Sequence, residues 1–248
     1  MSLNTMTASS RSPSPENDVF AISTTLVPER PSKAASTTSI SFDNLLDPPL
    51  IVHEDLQEGC GGQLWPAGMV LSKYMLTYHK SVLGRSIVEI GAGGGLVGLA
   101  VALGCATNRR ILITDQKPML ALMEKNIRLN GLGEKVSAEI YDWGTPPPAC
   151  ISKNGHPDIV LAADCVYFEP AFPLLLQTLE ELIGPETTCY FCFKKRRKAD
   201  LRFIRDMMKK FLVQQVEYDG QGRDQRDGIF LYEVRQKLHG QQTANPNH

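Results

Sequence analysis

The 248-residue sequence has almost no net charge, 26 Lys and Arg against 27 Asp and Glu for a sum of −1. That balance argues against a protein that binds polyanions in bulk. No apolar run approaches the length needed to cross a bilayer, and no cleavable secretory leader precedes the cysteines. The six cysteines are Cys60, Cys105, Cys150, Cys165, Cys189 and Cys192, and only the last two form a C-x-x-C. They have no second pair and no neighbouring His cluster. In the strand-like run Thr187–Phe193 their thiols are expected on opposite sides, so a metal site is not expected. Reduced thiols fit a cytoplasmic protein with access to the nucleus. Internal repeats are absent, and so is a Walker A lysine followed by Ser or Thr.

What remains is enough for one substantial core, since 42% of the residues are hydrophobic. Residues 1–38 are about half Ser, Thr and Pro and cannot bury enough surface to offset their ordering entropy, so a disordered tail is expected there. A single domain is expected over 39–236, opening with short strands at Ile40–Phe42 and Leu50–His53. A polar tail should follow over 237–248. Strands are expected near 86–90, 110–114, 136–141, 157–163 and 187–193, with helices near 95–104, 118–130, 170–183 and 198–212. This alternation is that of an α/β, Rossmann-like doubly wound sheet. Leu212–Tyr218 and Gly228–Val234 lack an intervening helix and should close the sheet as an antiparallel hairpin across a polar loop.

The run Glu89-Ile90-Gly91-Ala92-Gly93-Gly94-Gly95 leaves the strand Ser86-Ile87-Val88 and continues into Leu96-Val97-Gly98-Leu99-Ala100. A β-branched strand that breaks into glycines and resumes with helical periodicity brings backbone close to a ligand. Leu96 stands where a dinucleotide fingerprint needs its third glycine, which argues against a dehydrogenase. Asp115 ends the next strand about twenty residues on, the distance at which a βαβ unit delivers a carboxylate to a ribose diol. Upstream, Gly59-Cys60-Gly61-Gly62-Gln63-Leu64-Trp65-Pro66 reads as a loop passing near a ligand, with Pro66 in the first turn of a helix.

The pattern E-x-G-x-G-x-G resembles the nucleotide loop of the seven-strand S-adenosylmethionine-dependent methyltransferases. That resemblance implies S-adenosyl-L-methionine as cofactor, with Glu89 steadying its methionine end and Asp142 or Trp143 meeting the adenine. The cofactor contacts it implies are Trp65, Glu89, Gly91, Ala92, Gly93, Gly95, Asp115, Asp142, Trp143 and Ala163. Trp143 could instead only pack a loop under Pro146-Pro147-Pro148.

Asp164-Cys165-Val166-Tyr167 ends the fourth strand without the Pro-Pro-aromatic motif of enzymes that methylate planar nitrogens. This D-x-x-Y is similar to that of the family-16 lysine methyltransferase group of protein-lysine N-methyltransferases, over about residues 40–235. Phe193–Asp200 further resembles the fungal branch acting on translation elongation factor 1A. The resemblance implies Asp164 and Tyr167 as catalytic residues, Asp164 attracting and aligning the substrate amine and Tyr167 packing along the lysine stem or hydrogen-bonding near it. Asp164 could instead cap the helix near Pro170, and Tyr167 could be core. The cations Lys194, Lys195, Arg196, Arg197 and Lys198 oppose a helix macrodipole, so their number is not explained by stability, and substrate docking is expected of them. A monomer without direct nucleic-acid contact is expected. The alternatives are a methyltransferase of a small molecule or nucleic acid, or a cofactor-binding interaction protein without turnover.

Overall fold

The computed structural model describes residues 35–56 and 60–237. The two expected tails lie outside them, apart from residues 35–38 and Lys237. Its centre is a seven-stranded sheet. β3 (Ile87–Ile90), β4 (Ile111–Asp115), β5 (Val136–Ile140), β6 (Ile159–Ala163) and β7 (Thr188–Lys194) are parallel, and β8 (Phe211–Gln215) and β9 (Ile229–Gln236) complete it in the order β5-β4-β3-β6-β7-β9-β8. β9 inserts between β7 and β8 and is antiparallel to both. The sheet therefore ends in the expected hairpin of a seven-strand methyltransferase-like fold.

β3 reads Ile-Val-Glu-Ile and is buried at every position, as a central parallel strand covered on both faces must be. Alternate residues feed two cores. Ile87 and Cys192 join one with helices α1 (Pro66–Tyr78), α2 (Leu96–Gly104) and α3 (Leu120–Leu129); Val88 and Cys189 join the other with α5 (Phe172–Leu182) and α6 (Lys198–Lys210). A short α4 (Ala149–Ser152) precedes β6. The thiols of the C-x-x-C are thus separated by the sheet, and among the described residues no cluster suited to a metal is found. Among the same residues no helix is long and apolar enough to cross a membrane.

Three details depart from the sequence reading. The first strand, β1 (Ser36–Ile40), starts earlier than Ile40 because its polar Ser and Thr residues pair in register with β2 (Leu50–Glu54). α6 stops at Lys210, since Phe211 is buried as the first residue of β8 rather than in a helix. The polar connection before β9 contains a short helix, α7 (Gln221–Arg226), entered through Gly220 at φ 93°.

Candidate functional site

The carboxyl ends of β3, β4 and β6 border a cavity of about 650 Å³, at the place where open α/β sheets bind ligands. Its floor is the glycine loop. Gly91 has φ 59°, and a Cβ there would meet Trp143 Cζ2 at 2.8 Å and Cys165 Sγ at 2.9 Å. Gly93 has φ 55°, and its added Cβ would lie 2.3 Å from the Gly61 carbonyl oxygen. Two glycine loops distant in sequence therefore touch through backbone, and a side chain on Gly93 would force them apart. This is how Gly61, Gly62, Gln63 and Leu64 come to line the cavity with Ala92, Gly93 and Gly94.

Two acids hold the loop in shape. Asp115 accepts the Gly93 N–H at Oδ2 and the Gln116 N–H at Oδ1, each at 2.7 Å. A carboxylate has about four acceptor sites, so two remain for hydroxyl donors in the cavity it lines. Burial raises its pKa, with the Asp142 charge adding to the effect. Glu89 is only 2% exposed and accepts the Gly98 N–H at 2.8 Å, tying β3 to the first turn of α2. Burial pushes its pKa up to about 8, against the lowering by the Gly98 and Val97 N–H groups.

The sequence-derived residues Trp65, Glu89, Gly91, Ala92, Gly93, Asp115, Trp143, Ala163, Asp164 and Tyr167 all line this one cavity. Gly95 and Asp142 do not. Gly95 begins α2 at φ 87° with its Cα side against Ile113. Asp142 is exposed, on a turn closed when Thr145 donates its N–H and hydroxyl to the Asp142 carbonyl. Tyr141, one residue earlier, lines the cavity in its place. Tyr141, Phe168, Leu174 and the β2 pair His53 and Glu54 are lining residues that the sequence reading missed. Only folding brings the hairpin to this rim, where Asn126 of α3 clasps the backbone of His53 and Gly94.

Asp164 is 6% exposed and has φ 54°, which is left-handed for a non-glycine residue. Its Oδ2 accepts the Ala67 N–H of α1 at 3.0 Å; its Oδ1 accepts the Lys194 N–H and an Arg196 Nη1 hydrogen, each at 3.0 Å. It therefore caps a helix, but α1 rather than the one near Pro170. Trp65 occupies the N-cap position of α1 without supplying a side-chain cap, so Asp164 satisfies a first-turn donor from across the fold. Tyr167 and Phe168 stand half exposed on the rim, at 48% and 56%.

The basic run also differs from expectation. Asp200, fully buried in the first turn of α6, accepts the N–H groups of Arg196 and Arg197 and pairs with the Arg197 guanidinium. Arg197 donates in addition to the Tyr167 carbonyl. A buried carboxylate at the helix start compensates the cations there, which is why the run is tolerated.

The chain's similarity to known proteins agrees with this geometry. The lysine methyltransferase family matches residues 44–210. Protein-lysine N-methyltransferase EFM6 of Saccharomyces cerevisiae is 37% identical over 215 residues, which cover 77% of this chain and 87% of that protein. Protein N-lysine methyltransferase METTL21A of Danio rerio is 34% identical over 66% of this chain and 74% of its own length. EEF1A lysine methyltransferase 3 of Mus musculus is 30% identical over 72% and 74%. A glycine cradle that a single Cβ would fill, a diol-ready carboxylate and an aromatic wall suit S-adenosylmethionine, and the chain belongs to the lysine methyltransferase family, the protein-lysine N-methyltransferases that use this cofactor.

Proposed function

We propose that the enzyme methylates the ε-amino group of a lysine in translation elongation factor 1A, acting as a cytoplasmic monomer. The observation that carries a lysine acceptor is the rim at the end of β6. Tyr167 and Phe168 offer apolar walls to a four-carbon stem, and Asp164 lines the same cavity just beyond β6 without the Pro-Pro-aromatic motif of enzymes that methylate planar nitrogens. Elongation factor 1A is suggested by the name of the mouse relative.

S-adenosylmethionine, when bound, supplies an electrophilic methyl and a neutral sulfur leaving group. In this reading Asp115 would hold the ribose hydroxyls, and the backbone of Gly91, Ala92 and Gly93 would receive the nucleoside. Glu89 would serve the methionine end and Trp143 the adenine, and Ala163 would be a further cofactor contact. The amine must arrive neutral, which from a pKa near 10.4 costs about 4–5 kcal/mol at pH 7. Water can carry that proton. Asp164 and Tyr167 align the lone pair with the methyl, and such positioning contributes about 7–11 kcal/mol.

Docking is narrower than the five-residue basic run. Arg196 and Arg197 are paired with Asp164 and Asp200, whereas Lys195 and Lys198 are exposed and free to meet an acidic surface. The test is incubation of purified enzyme with radiolabelled S-adenosylmethionine and purified elongation factor 1A, followed by mass spectrometry of tryptic peptides. A methyl-lysine peptide that disappears with Asp164→Ala supports the reading. Tight cofactor binding without label on elongation factor 1A removes that substrate.

A further inference from the structure

The rim holds two features that attract an ammonium ion, the buried Asp164 carboxylate and the face of Trp65, and one cation already occupies both. Arg196 donates Nη1 to Asp164 Oδ1 at 3.0 Å, and its Cζ lies over the Trp65 ring, 5.1 Å from the centroid. A further bond to the Lys194 carbonyl, at 3.2 Å, fixes the guanidinium to the end of β7. Its side chain is 28% exposed, against 3% for Asp164, and both residues line the cavity. A guanidinium stays charged at every working pH.

We propose that Arg196 is a positioning residue that sets the protonation state in which the acceptor lysine is bound. The inference rests on the lysine-acceptor reading above. An uncompensated carboxylate within about 4–6 Å of an amine favours the ammonium form, which has no lone pair to attack the methyl. Asp164 without Arg196 would hold the substrate tightly as an unreactive cation. With Arg196 in place, the carboxylate is neutralised and the Trp65 face is covered, so Asp164 orients through a remaining lone pair without trapping the charge.

The other ionisable groups around Asp164 include Lys194, whose N–H it accepts at the end of β7, and Arg197, which donates to the Tyr167 carbonyl. Cys165 follows Asp164 in the chain and Cys192 flanks it from β7, with burial holding both thiols far above the ordinary range and so uncharged. Glu89 comes from β3, Asp115 from β4 and Glu54 and His53 from β2, all on the cavity wall. Asp200 of α6 is taken up by the backbone of Arg196 and Arg197, and Tyr167 stands on the rim. Arg196 is the cation among the described residues that meets Asp164 directly.

The experiment compares wild type with Arg196→Gln and Arg196→Lys in two arms. In the first, kcat and KM for elongation factor 1A are measured from pH 6.5 to 10. Arg196→Gln should move the rising limb of kcat up by about one pH unit, lower kcat about tenfold at pH 7.5 and leave KM equal or smaller. Arg196→Lys, which keeps the charge, should restore the limb. An unmoved limb, or a raised KM with an unmoved limb, overturns the proposal and leaves Arg196 a docking or structural residue.

The second arm does not depend on the protein substrate. Full-length enzyme loaded with S-adenosylhomocysteine is titrated with Nα-acetyl-lysine methylamide by NMR. Arg196→Gln should bind it at least fivefold more tightly than wild type at pH 7.5, and the difference should narrow at pH 11, where most of the free amine is neutral. Equal affinity at pH 7.5 overturns the proposal even if elongation factor 1A proves not to be the substrate. Unchanged S-adenosylhomocysteine affinity verifies that Arg196→Gln is folded; if it is not, Arg196→Lys against wild type carries the comparison, and a shifted limb in that variant is the overturning result.

Discussion

Asp164 joins three parts of the chain that are far apart in sequence: the start of α1, the end of β6 and the end of β7. Removing its carboxylate leaves the Ala67 and Lys194 N–H groups and a partly buried guanidinium without their acceptor. The expected cost is about 2–3 kcal/mol, from unsatisfied buried donors and a broken ion pair. Asp164→Ala should therefore lose about 5–10 °C of melting temperature as well as turnover. A variant that melts like wild type by calorimetry would refute the latch, and one that turns over normally would refute the active-site role.

Glu89 predicts a pH dependence of opposite sign to the usual carboxylate. Its folded pKa of about 8 lies above the ordinary 4.5. Between those values the folded state binds more protons than the unfolded state, so this group's contribution to stability falls as pH rises through the window and levels off above about 8. Glu89→Gln keeps an acceptor for the Gly98 N–H and removes the titration. It should raise the melting temperature at pH 8.5 relative to wild type more than at pH 5.5, while weakening cofactor binding. Thermal scans at the two pH values, with calorimetric titration of cofactor, check both outcomes. An equal change at both pH values would mean that Glu89 is ionised throughout.

At the scale of elements, the site is a meeting of loops whose shapes are set by strand ends. The turn from β3 into α2 passes beneath Trp143 and beside the Cys60–Gly62 turn with no room for a Cβ. Gly91→Ala should push Trp143 aside and strain a left-handed backbone position, reducing S-adenosylmethionine affinity by at least tenfold in calorimetry. In a Trp143→Ala background, which lacks the atom 2.8 Å away, the same Gly91→Ala change should cost less affinity than it does in the wild type. An equal cost in both backgrounds would make backbone strain the whole effect.

The sheet alternation was legible at this scale because β3, β4, β6 and β7 are continuous apolar runs punctuated by Gly, Asp and Pro. The start of β1 was not, because Ser36–Ile40 becomes a strand through its partner Leu50–Glu54 and not through its own apolar content. The α6–β8 junction was misread because Phe211 and Leu212 fit a helical repeat as well as a strand. The burial of Phe211 against the second core decides between them.

Taken as a whole, the molecule places the cavity, its Tyr167–Phe168 rim and the basic segment on one side, at the carboxyl edge of the parallel strands. An acidic partner surface drawn to Lys195 and Lys198 would bring its lysine past Tyr167 and Phe168. Reversing both charges, Lys195→Glu with Lys198→Glu, should raise KM for elongation factor 1A about tenfold at low salt and flatten the salt dependence of kcat/KM, with a much smaller change in kcat. A KM that does not respond, measured between about 20 and 300 mM salt, would remove the docking role.

The sequence by itself determined the doubly wound sheet, the cofactor and most of the cavity wall. Those rest on local chemistry: a glycine where the backbone must turn left-handed, an acid that ends a strand, an apolar run that must be covered on both faces. Only the tertiary structure decided what the charges do. Along the chain Asp164 reads as the carboxylate that aligns the substrate amine and Arg196 as a docking cation. In the fold the two are also bound to each other, with the guanidinium over Trp65, because the ends of β6 and β7 and the start of α1 converge there. An ion pair across 32 residues depends on which strands are neighbours, and strand order is a property of the folded sheet that no local pattern encodes.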